Sequence, residues 1–83
     1  MRYRLIFYDR STDRVGGLID IPAKFLAQVL SIAGIADGSE PGEYLLGPKQ
    51  VGDIAALIGF RSDVSRFHYH LEPLGPAKDQ LRA

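Results

Sequence analysis

The chain has 83 residues, of which ten are basic and ten acidic, giving a formal charge of zero, and 46% of it is apolar. That length suits one domain, the apolar share excludes a disordered segment, and neutrality weighs against a protein built on phosphate electrostatics. Cysteine is absent, which removes disulfides, thiolate nucleophiles and zinc–thiolate centres together and points to a cytoplasmic setting.

Tyr3, Leu5 and Phe7 alternate with Arg2, Arg4 and Ile6, the two-residue period of a strand over residues 2–9 with one face on a core. Charge breaks this apolar run too early for a secretory leader, and nothing approaches the roughly 18 apolar residues of a membrane span. Residues 9–14 are turn-rich, and a second β-type run covers residues 15–21, so a hairpin is expected. Gly16 and Gly17 predict a bulge or a close backbone approach within it. Pro22 ends that strand and can open a helix. Leu26, Val29, Leu30 and Ala33, widened by Phe25 and Ile32, form its stripe over residues 23–33 until Gly34 stops it. Residues 35–42 hold two glycines, a proline and two acids, which predicts a mobile loop.

Residues 43–46 read as a short third strand. Gly47-Pro48 starts a second helix, whose buried stripe is Val51, Ile54, Ala55 and Ile58, and Gly59 ends it. Gly52 inside this helix costs about 1 kcal/mol against alanine and predicts close packing there. In residues 66–72, Phe67, Tyr69 and Leu71 alternate with Arg66, His68, His70 and Glu72. A fourth strand follows, with the first set buried and both histidines exposed. Residues 73–83 read as a flexible tail, leaving one domain over residues 1–72. The order is ββαβαβ and the class α+β, with two helices on one face of a mostly antiparallel three- to four-stranded sheet. Its other face is expected to carry Arg2, Arg4, Asp20, His68, His70 and Glu72.

Phe7-Tyr8-Asp9, Thr12-Asp13, Ile19-Asp20-Ile21-Pro22, Tyr44-x-Leu46 and Phe67-x-Tyr69-x-Leu71-Glu72 together resemble a family of small bacterial proteins grouped as a domain of unknown function. The likeness spans about residues 3–72 and implies an intact small domain, with no catalytic residue to carry over. A second resemblance lies in Asp53-Ile54-Ala55-Ala56-Leu57-Ile58-Gly59-Phe60 followed by Val64-Ser65-Arg66. It is similar to the helix-turn-helix of bacterial repressors, where Val-Ser-Arg opens the recognition helix. Val64, Phe67, Leu71 and Leu74 fit a helical stripe as well. Zero net charge and the β propensity of Phe-His-Tyr-His-Leu oppose that reading.

His68-x-His70 places two imidazoles on one side of a strand, where a carboxylate from Glu72 or Asp20 would be needed to complete a metal site. With no third histidine and no cysteine, the pair reads as the solvent face of an amphipathic strand, and neither metal nor cofactor is expected. Neither Ser62 nor Ser65 lies in a nucleophile elbow, and Gly16-Gly17 lacks the length and lysine of a phosphate loop. The chain therefore does not read as an enzyme. Arg2, Arg4, Arg10 and Arg14 gather along the hairpin with Tyr3 and Tyr8, a mixture enriched at protein interfaces. The expected function is that of a small cytoplasmic bacterial protein acting by protein–protein contact, of accessory, immunity or inhibitor type, or as a homo-oligomer. Its expected binding residues are Arg2, Arg4, Tyr8, His68, His70 and Glu72, with no membrane and no nucleic acid as partner. The alternative is a DNA-binding regulator that uses residues 49–72 as a helix-turn-helix.

Overall fold

Alternation organises the centre of the molecule. In the computed structural model, which describes residues 2–35 and 42–74, strand β1 (Arg2–Asp9) lies between β2 (Val15–Asp20) and β4 (Phe67–Leu74). The short β3 (Tyr44–Leu45) completes the order β2-β1-β4-β3, and every pairing is antiparallel. Two helices, α1 (Leu26–Ala33) and α2 (Pro48–Ile58), supply the remaining regular structure. The α+β class, the ββαβαβ order and the helices on one face of the sheet are all as the sequence indicates. The expected mobile loop falls mostly on residues 36–41 and the expected tail on 75–83, outside the described residues.

The odd-numbered side chains of β1 and β4 make the core. Leu5 and Leu71 are opposite one another in register and exposed by only 1% and 0%. Val29 of α1 and Val51 and Ile54 of α2 close over them. Burying side chains of this size contributes about 1.5–3 kcal/mol each, which is where a domain without disulfides finds its stability. Tyr69 is buried in the same layer, and its hydroxyl accepts the Asp63 N–H at 3.0 Å. A buried ring thereby ties down the connector that leads into its own strand.

The hairpin glycines do both things the sequence predicts. Phe7 pairs with Gly17 but Tyr8 pairs with Val15, so Gly16 is the extra residue of a bulge. A Cβ on Gly17 would lie 2.5 Å from Phe7 Cζ, and one on Gly16 would lie 2.7 Å from Phe67 Cε1. The bulge therefore seats two aromatic rings against bare backbone. Phe7 and Phe67 meet edge to face at 5.0 Å.

Four expectations need correction. The first helix opens with a 3-10 turn (Ala23–Phe25), in which Phe25 N–H bonds Pro22 O at 2.9 Å, and α1 starts only at Leu26. No side chain caps that start, and an uncapped first turn tightens to recover a bond for an orphan N–H. Gly52 is exposed, and a Cβ there would meet nothing within 4 Å, so it marks no close packing. β4 runs on to Leu74, and Pro73, expected in the tail, lies opposite Tyr3. Leu46 N–H bonds Tyr69 O, so the odd positions of β4 turn their backbone toward β3. That strand has ended before Pro73, so its missing N–H removes no ladder bond. Finally, residues 64–66 form a turn and β4 follows. The recognition helix of the repressor reading is not formed.

Candidate functional site

Neither helix packs on the second face of the sheet, and the register defines it row by row. Asp20, Arg4 and Glu72 form one cross-strand row. Leu18, Ile6, His70 and Leu45 form the next, and Val15, Tyr8 and His68 a third. Arg2 and Leu74 lie beyond the charged row at the far end. All six expected binding residues, Arg2, Arg4, Tyr8, His68, His70 and Glu72, thus share this face, and so does Asp20.

Direct contacts link four of the six. Arg4 Nε donates to Glu72 Oε2 at 2.8 Å, with side chains 25% and 17% exposed. The Tyr8 ring meets His70 edge to face at 5.4 Å, and its hydroxyl donates to Glu43 Oε1 at 3.4 Å. Burial first, and then the Glu43 carboxylate, push the Tyr8 phenol above its ordinary value. His68 and His70 are half-buried rather than exposed, and Phe67 is half-buried rather than buried. The Tyr8 ring lies against His70, and Phe67 packs on Phe7 at the start of β4.

The expected hairpin cluster of arginines does not form. Tyr3 faces the core. Arg4 and Arg10 stand six residues apart along the chain, about 20 Å in extended backbone, and Arg10 Nε is bonded to Val64 O at 2.8 Å. At that far end two turns repeat one pattern. Asp9 Oδ1 accepts from Ser11 Oγ at 2.6 Å and from Ser11 N–H at 2.8 Å, and Asp63 Oδ1 accepts from Ser65 Oγ at 2.6 Å and from its N–H at 3.2 Å. The serine hydroxyl bond first, helped by the serine backbone N–H, holds both carboxyls below their ordinary range. Ser65 is thus engaged in a turn.

Sequence reasoning places Ile6 opposite the core face but misses the exposed apolar members of the second face. Among the described residues, the exposed large hydrophobic side chains are Val15 at 55%, Leu18 at 51% and Leu45 at 66%. All three belong to the uncovered rows. Ile6 between them is 8% exposed, sheltered by its neighbours rather than by a helix. A signal for Leu45 was available: adjacent Leu45 and Leu46 in one strand must point to opposite faces.

The described residues also form concave surfaces, one of them at the two serine turns, lined by Asp9, Arg10, Ser11, Ser65 and Arg66. A cleft of about 340 Å³ at the sheet edge is lined by Arg10, Leu45, Val64, Phe67, His68 and Tyr69, among others. It stands at the low end of small-molecule pockets, which run about 300–1,000 Å³. A groove between α1 and α2 is lined by Gln28, Ser31, Ile32, Asp53, Ala56 and Leu57. Among the described residues, no three His, Asp or Glu side chains are grouped to hold a metal ion. No described helix is long and apolar enough to cross a membrane. No protein-family model, curated protein or solved structure matches the chain.

Proposed function

We propose that this is a non-enzymatic binding protein that works by protein–protein contact through the uncovered face of its sheet. One observation carries the reading: Val15, Leu18 and Leu45 are all exposed on the face that neither helix covers. A domain this small has little apolar surface to spare from its core, and here Leu18 and Leu45 stand at the two edges of one row, with Ile6 and His70 between them. Arg4 and Glu72 on one side of that row and Tyr8 on the other give it polar borders, His70 lies within it, and together they supply orientation. The outer edge of the sheet extends the same surface. Ile21 N–H bonds Tyr3 O, so strand alternation aims the backbone of Leu18 and Asp20 away from β1. A bacterial, cytoplasmic protein of accessory, immunity or inhibitor type fits small size, neutrality and absent cysteine.

The test is a capture experiment followed by reconstitution with the purified partner. Wild-type protein and Gly52→Ala, on the exposed side of α2, are expected to bind equally. The Leu18→Asp/Leu45→Asp double variant is expected to lose at least about tenfold in affinity, about 1.4 kcal/mol. Unchanged binding by that variant contradicts the reading. So does a discrete, competitor-resistant DNA band lost in Arg66→Ala.

A further inference from the structure

We infer that the cleft at the sheet edge is a binding site for a small monocarboxylate with an aromatic or branched apolar body. The inference goes beyond partner contact and does not depend on it. β3 ends at Leu45, and Gly47-Pro48 takes the chain away into α2, so the first residues of β4 have no strand beside them on that side. The gap left there is the cleft of about 340 Å³. Its apolar walls come from both sides of the sheet. Leu45 is exposed, whereas Val64 and Phe67 pack against the core and Leu46 and Tyr69 belong to it. Walls of this kind take up an apolar body and leave its orientation to a few polar groups.

Three side chains bring those groups. Arg10 Nε donates to Val64 O at 2.8 Å, and Tyr69 Oη accepts the Asp63 N–H at 3.0 Å. The two anchoring atoms belong to consecutive residues, so the guanidinium and the phenol meet the same short piece of connector. Each keeps unused capacity. Among the described residues, nothing accepts from the terminal nitrogens of Arg10, from the Tyr69 hydroxyl or from the His68 ring. All three can donate to an incoming oxygen.

Charge gives the ligand its sign. Among the described residues no acid lines the cleft. Asp9 and Asp63 of the adjoining turns are engaged by Ser11 and Ser65, and Asp9 pairs with Arg66 at 3.7 Å rather than with Arg10. Arg10 thus stands at the cleft wall without an ion-pair partner among the described residues. One fixed cation matches a monoanion, and the planar guanidinium fork matches the paired oxygens of a carboxylate. A phosphate dianion would leave charge uncompensated beside apolar walls. The volume sits at the bottom of the ligand-site range, so the ligand is small and its affinity modest.

The probe is sodium phenylacetate, titrated at constant ionic strength into the intact chain and followed by amide chemical shifts. Saturable changes are expected at Leu45, Val64, Phe67, His68 and Tyr69, with a dissociation constant on the order of 0.1–1 mM. Neutral phenylacetamide, of the same shape, is expected to bind at least about fivefold more weakly. Arg10→Gln is expected to weaken phenylacetate by about the same factor and to leave phenylacetamide unchanged, a difference that loosening of the cleft would not produce. His68→Ala, which breaks no described hydrogen bond, is expected to weaken phenylacetate about twofold. Dispersed amide spectra report whether each variant is folded. Should Arg10→Gln lose that dispersion, His68→Ala and the acid-against-amide difference in the intact chain decide. Shifts that fail to saturate by about 10 mM phenylacetate overturn the inference, as does phenylacetamide binding as tightly as the acid. A folded Arg10→Gln that binds phenylacetate as the intact chain does also overturns it. So do changes centred on Asp53 and Ala56, which would put the probe in the groove between α1 and α2.

Discussion

The two faces of the sheet come from the same strands, alternate residue by residue, and have different fates. On one side Tyr3, Leu5, Tyr69 and Leu71 are almost wholly excluded from water beneath α1 and α2. On the other, Arg4, Tyr8, His70 and Glu72 are half-buried by one another, and Leu18 and Leu45 stay in water. The covered face is made uniformly of large apolar side chains, so it can repay the ordering of two helices. The second face mixes charge, imidazole and leucine in neighbouring rows, which no amphipathic helix stripe would match. Folding buries the large apolar groups of the first face and leaves Leu18 and Leu45 of the second exposed.

Denaturant unfolding of substitutions on each side sharpens that contrast. Leu71→Ala and Leu5→Ala are expected to lose about 2–5 kcal/mol, a large fraction of the 5–15 kcal/mol typical of small domains. Leu18→Ala and Leu45→Ala, measured under monomeric conditions, are expected to stay within about 0.5 kcal/mol of wild type. Comparable losses on the two faces would show that the uncovered leucines belong to the folding core after all.

Where the hairpin closes over the aromatic rings, the expected effect is smaller. Gly17→Ala is expected to cost about 1–3 kcal/mol, because its Cβ would enter the space of the Phe7 ring at 2.5 Å and overpacking forces the ring or backbone aside. A neutral result in thermal unfolding would mean that the bulge accommodates a side chain freely. Gly52→Ala runs the other way. It adds a methyl to open space on an exposed helix position, so stability is expected to rise by about 0.5–1 kcal/mol. A loss there would reveal a contact on the outer side of α2.

The smallest effect belongs to the far end of the sheet. Asp9 and Asp63 both titrate below their ordinary range, chiefly through the serine hydroxyl bonds. A carboxyl with a depressed folded pKa stabilises the fold fully above its unfolded value, near 3.9, and loses that contribution as pH falls through the folded one. Melting temperature is therefore expected to decline below about pH 4, and less steeply in an Asp9→Asn/Asp63→Asn variant. An equal decline in both would assign the acid sensitivity to other carboxyls.

Local pattern carried most of the fold. Alternation in residues 2–9 and 66–72 located the two central strands, and Gly34 and Gly59 end their helices at left-handed φ values of 76° and 83°. The departures arose from long-range geometry. The place of Pro73 depended on where β3 stops, and the empty space around Gly52 depended on what packs near α2. Of the candidate site, the polar members were legible because alternation assigns faces. The Arg4–Glu72 pair joins residues 68 positions apart, and only the strand register brings them together. Leu18 and Leu45 were hidden because an apolar residue in a strand reads as core until the covered face is known.

Amide chemical shifts of labelled protein give the most direct test of the uncovered face as the interface. They are followed during titration with the captured partner. Changes are expected to concentrate on Arg4, Ile6, Tyr8, Leu18, Leu45 and His70. Changes confined instead to Gln28, Ser31, Asp53 and Ala56, along the groove between α1 and α2, would place the interface on the helices and contradict the account.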